Sequence, residues 1–138
     1  MLSFFVSGIP KTAGSKKAFR HRSTGKIVVV DDCKAGKTWR AVVALAGKEA
    51  CPAPLMGALR LTVLFYLARP KGHFGKKGLL SSAPAWPTTK PDATKLLRAL
   101  EDALTGICWR DDAQIVRQLV MKDYSETPGA QVAIEVMG

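Results

Sequence analysis

Apolar side chains alternate with other residues most regularly in the segment 59–67. Its odd-numbered positions are all apolar, namely Leu59, Leu61, Val63, Phe65 and Leu67. These side chains share one side of an extended chain, because successive residues of a strand point to opposite faces. The other side mixes polar and apolar residues, which favours a central strand with neighbours on both edges.

Shorter apolar runs predict four further strands. These are Leu2–Val6, Ile27–Val30, about Gln114–Lys122, and a final alternating segment through Val132, Ile134 and Val136. Pro128-Gly129 predicts the turn between the last two. The apolar start of the chain is short and lacks a basic region, so we expect a strand there rather than a secretory signal.

Two segments, residues 38–49 and 94–106, carry apolar side chains at helical spacing. The predicted core-facing residues are Trp39, Val42, Val43 and Ala46 in the first, and Leu96, Leu97, Leu100, Ala103 and Leu104 in the second. Gly106 is suited to end the second helix, because glycine adopts the left-handed backbone of a helix end. Together the elements predict one α/β (α+β) domain over residues 1–138, with two helices packed on a mixed, mostly antiparallel sheet.

Basic side chains are concentrated in two segments of a chain whose net charge is +10 and whose pI is near 9.9. Residues 11–40 hold nine basic side chains against two acidic ones, and residues 69–98 hold seven against one. Both segments are rich in Gly, Ser or Pro, so we expect two basic loops, at about residues 10–26 and 69–91. Two such loops favour an anionic polymer as partner over a merely solvated surface.

The residues expected to contact phosphates are cations of these loops, namely Lys11, Lys16, Lys17, Arg20, Arg22, Lys71, Lys76 and Lys77. Three aromatic residues, Phe19, Phe74 and Trp86, lie in the same loops. An aromatic ring at such a position either stacks on an exposed base or packs inward to anchor its loop.

Membrane and zinc proteins are disfavoured. No apolar run approaches the roughly 18–20 residues of a membrane span. The three cysteines, Cys33, Cys51 and Cys108, are widely spaced, and only His21 and His73 are available to join them. Buried, reduced thiols are therefore favoured over a zinc site, and we expect a cytoplasmic protein.

The segment 27–40 resembles a phosphate-binding loop at first sight, because a strand is followed by A-G-K-T and a helix. The motif G-x-x-x-x-G-K-[ST] requires glycine where this chain has Asp31. A carboxylate at that position repels phosphate oxygens, so we expect no nucleotide cofactor.

Four aspartates lie in or beside the second predicted helix: Asp92 precedes it, Asp102 is on its polar face, and Asp111 and Asp112 follow it. Converging carboxylates suit Mg²⁺ or Mn²⁺, which prefer oxygen ligands. Structural roles are the alternative: Asp92 as a helix cap, Asp102 as a surface partner of Arg98, and the pair Asp111-Asp112 as a turn. Spacing alone leaves both interpretations open.

The run KPDATKLLRALEDALTGICWRDDAQIV, residues 90–116, resembles the RusA-type Holliday junction resolvase family. In that family an aspartate opens a helix, a D-A-L-type segment closes it, and a D-D-x-Q-[IV] segment follows. VSGIPKTAGSKKAFRHR resembles the opening strand and basic loop of the family, and RPKGHF with its long loop resembles phage-type members. The resemblance covers most of the chain and implies a RusA-like fold.

The resemblance also implies a homodimer that binds four-way DNA junctions and cuts them symmetrically with Mg²⁺ or Mn²⁺. Carried over by motif, Asp92 and Asp112 are the expected metal ligands, with Asp111 as a further ligand. Lys95, Arg98 and Asp102 are the expected catalytic residues, the two cations stabilising charge that develops on the phosphate.

The family pattern D-x-D-N-L-x-K is D-A-T-K-L-L-R here, from Asp92 to Arg98. Thr94 replaces the second aspartate, and a hydroxyl is a weaker metal ligand than a carboxylate. Two hypotheses follow: a metal-dependent junction resolvase, or a protein that binds junctions or duplex DNA without cutting them well. A nucleotide-binding enzyme is a distant third.

Overall fold

The computed structural model describes residues 1–13, 16–20, 27–31 and 34–138 of the chain. Arg22, one of the predicted DNA ligands, lies outside these ranges, as do His21 and Cys33. Within the described ranges, no helix is both long and apolar enough to cross a membrane.

The described residues form eight strands and two α-helices. The strands are β1 (Leu2–Ser7), β2 (Lys16–Arg20), β3 (Ile27–Asp31), β4 (Leu59–Leu67), β5 (Phe74–Gly75), β6 (Gly78–Leu79), β7 (Ile115–Tyr124) and β8 (Gly129–Val136). The helices are α1 (Lys34–Ala50) and α2 (Ala93–Leu104), and short 3₁₀ turns occupy Lys71–His73 and Asp112–Gln114.

Four strands form the main sheet, in the order β1-β8-β4-β7. β8 is antiparallel to both β1 and β4, whereas β7 runs parallel to β4. The predicted mixed, mostly antiparallel sheet is confirmed, and β4 is an interior strand with the predicted bounds. The predicted strand at Ile27–Val30 is present as β3, but it pairs with β2 in a separate two-stranded sheet. Because β7 and β8 lie on opposite sides of β4, the chain crosses the end of β4 between them. Gly129, predicted as part of that turn, is already the first residue of β8.

The hydrophobic core lies between one face of the sheet and both helices. Leu61, Val63 and Phe65 of β4 are fully buried, and they belong to the same packed cluster as Val43 of α1 and Leu100 of α2. This arrangement confirms the alternation that predicted the strand. Neither of the two described helices covers the opposite face of the sheet.

Helix α1 begins at Lys34, earlier than the predicted residue 38. Two positions separate it from the end of β3 at Asp31. The prediction that Val42 faces the core is wrong, because its side chain is 37% exposed. The buried stripe runs at four-residue spacing through Trp39 and Val43, and Val42 lies beyond its edge.

Helix α2 buries the predicted leucines, Leu96, Leu97, Leu100 and Leu104. It ends at Leu104, and Gly106 adopts a φ of 89° in the turn that follows. The left-handed glycine predicted from the sequence is therefore present just beyond the helix. The leucine stripe fixes which side of α2 faces solvent, and hence where its polar side chains lie.

The two predicted basic loops are partly regular structure. Residues 16–20 form β2, which pairs antiparallel with β3, so Lys16, Lys17 and Arg20 lie on a strand instead of the predicted loop. Pairing with the β-branched run of β3 outweighs the weak strand preference of lysine. Residues 69–91 contain a 3₁₀ turn and the short β5–β6 hairpin, and are otherwise irregular as predicted.

Gly129 generates a testable prediction about the sheet. A Cβ atom added to Gly129 would lie 2.3 Å from the backbone oxygen of Val6 and 2.4 Å from Cζ of Phe5. We therefore expect Gly129→Ala to lower the free energy of unfolding by about 1–3 kcal/mol, because β1 must shift to accommodate the methyl group. Urea denaturation measures this change. Gly72→Ala is the matched control, since a Cβ there meets no atom within 4 Å, and equal stability of the two variants would contradict the prediction.

Candidate functional site

Asp92 occupies the position just before α2, but its side chain makes no capping hydrogen bond. Its backbone carbonyl instead accepts from the N–H of Leu96 at 3.0 Å. The carboxylate is 58% exposed, and Oδ2 lies 3.7 Å from Nζ of Lys95. The helix-cap alternative for this side chain is therefore wrong, and the carboxylate is free to meet a ligand from solvent.

Lys122, near the end of β7, holds the segment that leads into Asp92. Its ammonium group donates to the carbonyl oxygens of Thr89 at 3.1 Å and Pro91 at 3.0 Å. A cation that satisfies two carbonyls just before a helix fixes where that helix starts. No local sequence pattern points to Lys122, because its hydrogen bonds join positions about thirty residues apart.

Asp111 and Asp112 form a capped 3₁₀ turn at the other end of the helix–strand unit. Oδ1 of Asp111 accepts from the N–H of Ala113 at 2.9 Å, and Oε1 of Gln114 accepts from the N–H groups of Arg110 and Asp111. The turn alternative thus holds for Asp111, whose carboxylate is engaged in the cap. Asp112 is exposed and has no such bond.

Gln114 fixes this turn to the rest of the domain. Its amide nitrogen donates to the carbonyl oxygens of Leu55 at 3.1 Å and Gly57 at 3.0 Å. The same side chain therefore serves the turn with its oxygen and the loop before β4 with its nitrogen. Asp112 therefore lies in a turn that the Gln114 side chain ties to the loop before β4.

Glu101, in the last turns of α2, is influenced by the charges of two aspartates. Glu101 accepts a hydrogen bond from Gln118 of β7. Burial raises the pKa of Glu101, and the neighbouring negative charges of Asp112 and Asp102 raise it further, while the Gln118 hydrogen bond lowers it. Asp102 and Asp112 therefore share a negative field with Glu101, a residue that sequence analysis did not single out.

Helix α2 separates this group from Asp92. Gln118, early in β7, contacts Glu101 near the end of α2, whereas Lys122, later in β7, contacts the segment before the helix. β7 therefore runs antiparallel to α2. A helix of 12 residues is about 18 Å long, so Asp92 and Asp112 lie at opposite ends of it.

The described part of one chain does not assemble a cluster of metal ligands. The described residues contain no group of three or more His, Cys, Asp or Glu side chains placed to hold a metal ion. Thr94 and Arg98 are exposed on α2, and the described side chains show no ion pair between Arg98 and Asp102. Lys95 lies beside Asp92, and the charges of Asp102 and Asp112 both act on Glu101, but Asp92 and Asp112 lie at opposite ends of α2.

The predicted DNA ligands are distributed over several elements. Lys71, Lys76 and Lys77 are exposed on the 69–91 segment, and Lys11 lines a cavity beside Pro91. Of the loop aromatics, Phe74 is 50% and Trp86 66% exposed. Both rings are therefore accessible rather than packed inward.

Two of the three cysteines are buried free thiols, as predicted. Cys51 and Cys108 lie with their sulfur atoms 2.7 Å apart in the core. Burial and the neighbouring Cys51 raise the pKa of Cys108, which keeps its thiol protonated and unreactive.

Comparison with known proteins places the chain in a family. The sequence profile described as endodeoxyribonuclease RusA matches residues 9–135. The chain therefore belongs to the RusA endodeoxyribonuclease family, which confirms the resemblance and the α+β fold expected from it. It is also 31% identical over 142 residues to the uncharacterized protein YqaN of Bacillus subtilis (strain 168), covering 96% of this chain and 94% of that relative.

The raised pKa of Glu101 predicts a pH-dependent stability effect. A carboxyl group whose pKa is higher in the folded state loses its proton more readily on unfolding, so its ionisation favours unfolding as pH rises above the ordinary glutamate range. Glu101→Gln should therefore raise the melting temperature at neutral pH, and this gain should vanish at acidic pH. Thermal unfolding in EDTA measures it.

The exposed helical residue Glu49 provides the control for this measurement. Glu49→Gln removes the same charge from solvent and should show no comparable gain at neutral pH. A lower melting temperature for Glu101→Gln at neutral pH would mean that the bond with Gln118 outweighs burial and repulsion.

Proposed function

We propose that this protein is a structure-selective DNA endonuclease that resolves four-way junctions by paired phosphodiester hydrolysis. Membership of the RusA family across residues 9–135 carries the proposal. The charge of +10 supports it, because a junction is a dense polyanion with one charge per roughly 1.7 Å of duplex. The bacterial cytoplasm, or that of a phage-infected cell, is the proposed place of action.

The basic residues supply binding that is independent of sequence. Lys71, Lys76 and Lys77 project from a loop without a packed core of its own, and β2 adds Lys16 and Lys17 to the charge of the chain. Cations on separate elements neutralise phosphates on separate arms of the junction. We therefore expect the affinity to fall steeply with salt, as it does whenever several counterions are released at once.

The cutting site is proposed to include Asp92 and Asp112 as metal ligands, with Mg²⁺ or Mn²⁺ as the ion. Because these carboxylates lie at opposite ends of α2, one copy does not present both of them to a single ion. Lys95 lies in the first turn of α2 beside Asp92, and Arg98 lies about one turn further along the helix. Their role is to stabilise negative charge on the reacting phosphate.

A homodimer accounts for both paired cutting and the divided carboxylates. Symmetric incision of two opposed strands needs two sites related by a two-fold axis, which a homodimer supplies. A second copy can also bring its Asp112 to the Asp92 of the first. The sheet face opposite the helices is available for such contacts, since Phe5, Leu119 and Met121 on it are partly exposed.

Thr94 favours a second candidate function, junction binding with weak or no cleavage. It lies in the first turn of α2 beside Asp92 and is exposed, where the family pattern has an aspartate. Thr94→Asp distinguishes the two functions. A variant that gains metal-dependent cleavage over an inactive wild type would assign binding, not cleavage, to the natural chain.

Cleavage of a labelled four-way junction tests the proposed function. We expect paired nicks with Mg²⁺ or Mn²⁺, none with EDTA, and none on a linear duplex of the same sequence. Asp92→Asn and Asp112→Asn should each lower the cleavage rate by about 100-fold or more while junction binding in EDTA is retained. Glu49→Gln, a matched change on α1 far from these residues in the sequence, should cut at the wild-type rate.

Two results would contradict the proposal. If both aspartate variants cut at the wild-type rate, Asp92 and Asp112 are not part of the cutting site. Equal affinity for junction and duplex would remove structure selectivity.

A further inference from the structure

A cavity of about 330 Å³ lies beside the segment that leads into Asp92. Its walls include Ile9, Leu67 and Pro91, and Lys90 and Lys11 stand at its edge. Pro91 is the residue directly before Asp92, and its carbonyl is one of the two that Lys122 holds. The cavity and the Asp92 carboxylate are therefore fixed to the same short stretch of backbone.

The lining of this cavity combines apolar surface with positive charge. Four of its residues are prolines, one is the aromatic residue Tyr124, and the charged members are Lys11 and Lys90. None of the described lining residues is acidic. Flat apolar walls suit a planar ring, and the lysines suit the phosphate attached to it, which is the chemistry of a nucleotide within a DNA strand.

The ring of Tyr124 also borders a neighbouring cavity, and two side chains, Arg69 and His73, contact the ring. The guanidinium carbon of Arg69 lies 4.4 Å from the centre of the Tyr124 ring, and the His73 ring meets it edge-on at 5.4 Å. Arg69 is itself fixed by donating to the carbonyl oxygen of Pro84 at 2.7 Å. Arg69 lines the neighbouring cavity and not this one. A ring fixed before the ligand arrives loses little freedom on stacking.

The volume limits what the cavity accepts. At about 330 Å³ it is at the lower end of the roughly 300–1,000 Å³ of small-ligand pockets. That size accommodates a planar base. Enzymes that act within DNA hold an extruded base in this way, between aromatic and apolar side chains.

We propose that this cavity receives a single nucleobase of the strand that passes Asp92, unstacked from the junction and stacked on Tyr124. The inference rests on the proposed function, because it takes the scissile strand to run along the Asp92 end of α2. Holding one base out of the stack fixes the position of the neighbouring phosphate relative to the carboxylate. The cavity is thus a positioning site, and it contributes to where the strand is cut.

Photo-crosslinking tests the location of the base. Thymines near the exchange point of a four-way junction are replaced, one at a time, by 5-iododeoxyuridine, and each junction is irradiated with the full-length wild-type protein in EDTA. We expect one position to crosslink to Tyr124, identified by mass spectrometry. Crosslinks that form only with Phe74 or Trp86, the exposed loop aromatics, or with no residue of the cavity, would overturn the proposal.

A double-mutant cycle tests whether ring and base contact each other. Tyr124→Leu and an abasic site at the crosslinking position should each weaken junction binding, by about 5- to 150-fold for a stacked base. Combined, they should weaken binding no more than either alone, because the same contact is lost. Fully multiplicative losses would overturn the proposal. Tyr124→Phe keeps the ring and should retain both the crosslink and the affinity.

These experiments distinguish failure of the base-binding site from failure of the proposed function. If Tyr124→Leu does not fold, the abasic junction with wild-type protein still decides the case, since unchanged affinity at every position would overturn the cavity. Wild-type protein that prefers the junction and cuts it, but shows no crosslink at the cavity, refutes only the base-binding site. Wild-type protein with no preference for the junction refutes the function on which the site rests.

Discussion

The parallel pairing of β4 with β7 is the constraint on which the functional part of the molecule depends. A parallel connection requires the chain to return across the sheet, and α2 makes that return packed on the core by its leucine stripe. The helix therefore begins where β4 ends and finishes where β7 starts. Asp92 and Asp112, close in the family motif, are placed at opposite ends of the helix by this topology.

Each end of α2 is stabilised by a side chain from a distant part of the sequence. Lys122 fixes the segment before Asp92, and Gln114 joins the Asp112 turn to the loop before β4. The same ends carry different charge environments, since Asp92 faces Lys95 whereas Asp112 shares a negative field with Glu101. A divalent cation would relieve the second environment, whereas the ammonium groups of Lys95 and Lys122 lie beside the first or the segment that leads into it.

The sequence predicted the sheet, both helices and the residues that carry the resemblance, because periodicity and motif spacing are local properties. The alternation in β4 and the leucine stripe of α2 were sufficient for this. It did not predict β2, because lysine-rich strands depend on their pairing partner. Nor did it predict the separation of Asp92 from Asp112, the Lys122 contacts or the Tyr124 cavity, because each arises from the direction in which β7 runs beside α2.

The proposed homodimer completes each cutting site with carboxylates from two copies of the chain. Mixing the Asp92→Asn and Asp112→Asn variants under conditions of subunit exchange tests this sharing. If one copy supplies Asp92 and the other supplies Asp112, mixed dimers contain one intact site. The mixture should then nick one strand of the junction, which neither variant does alone. A mixture as inactive as its two components would show that both aspartates act from the same chain.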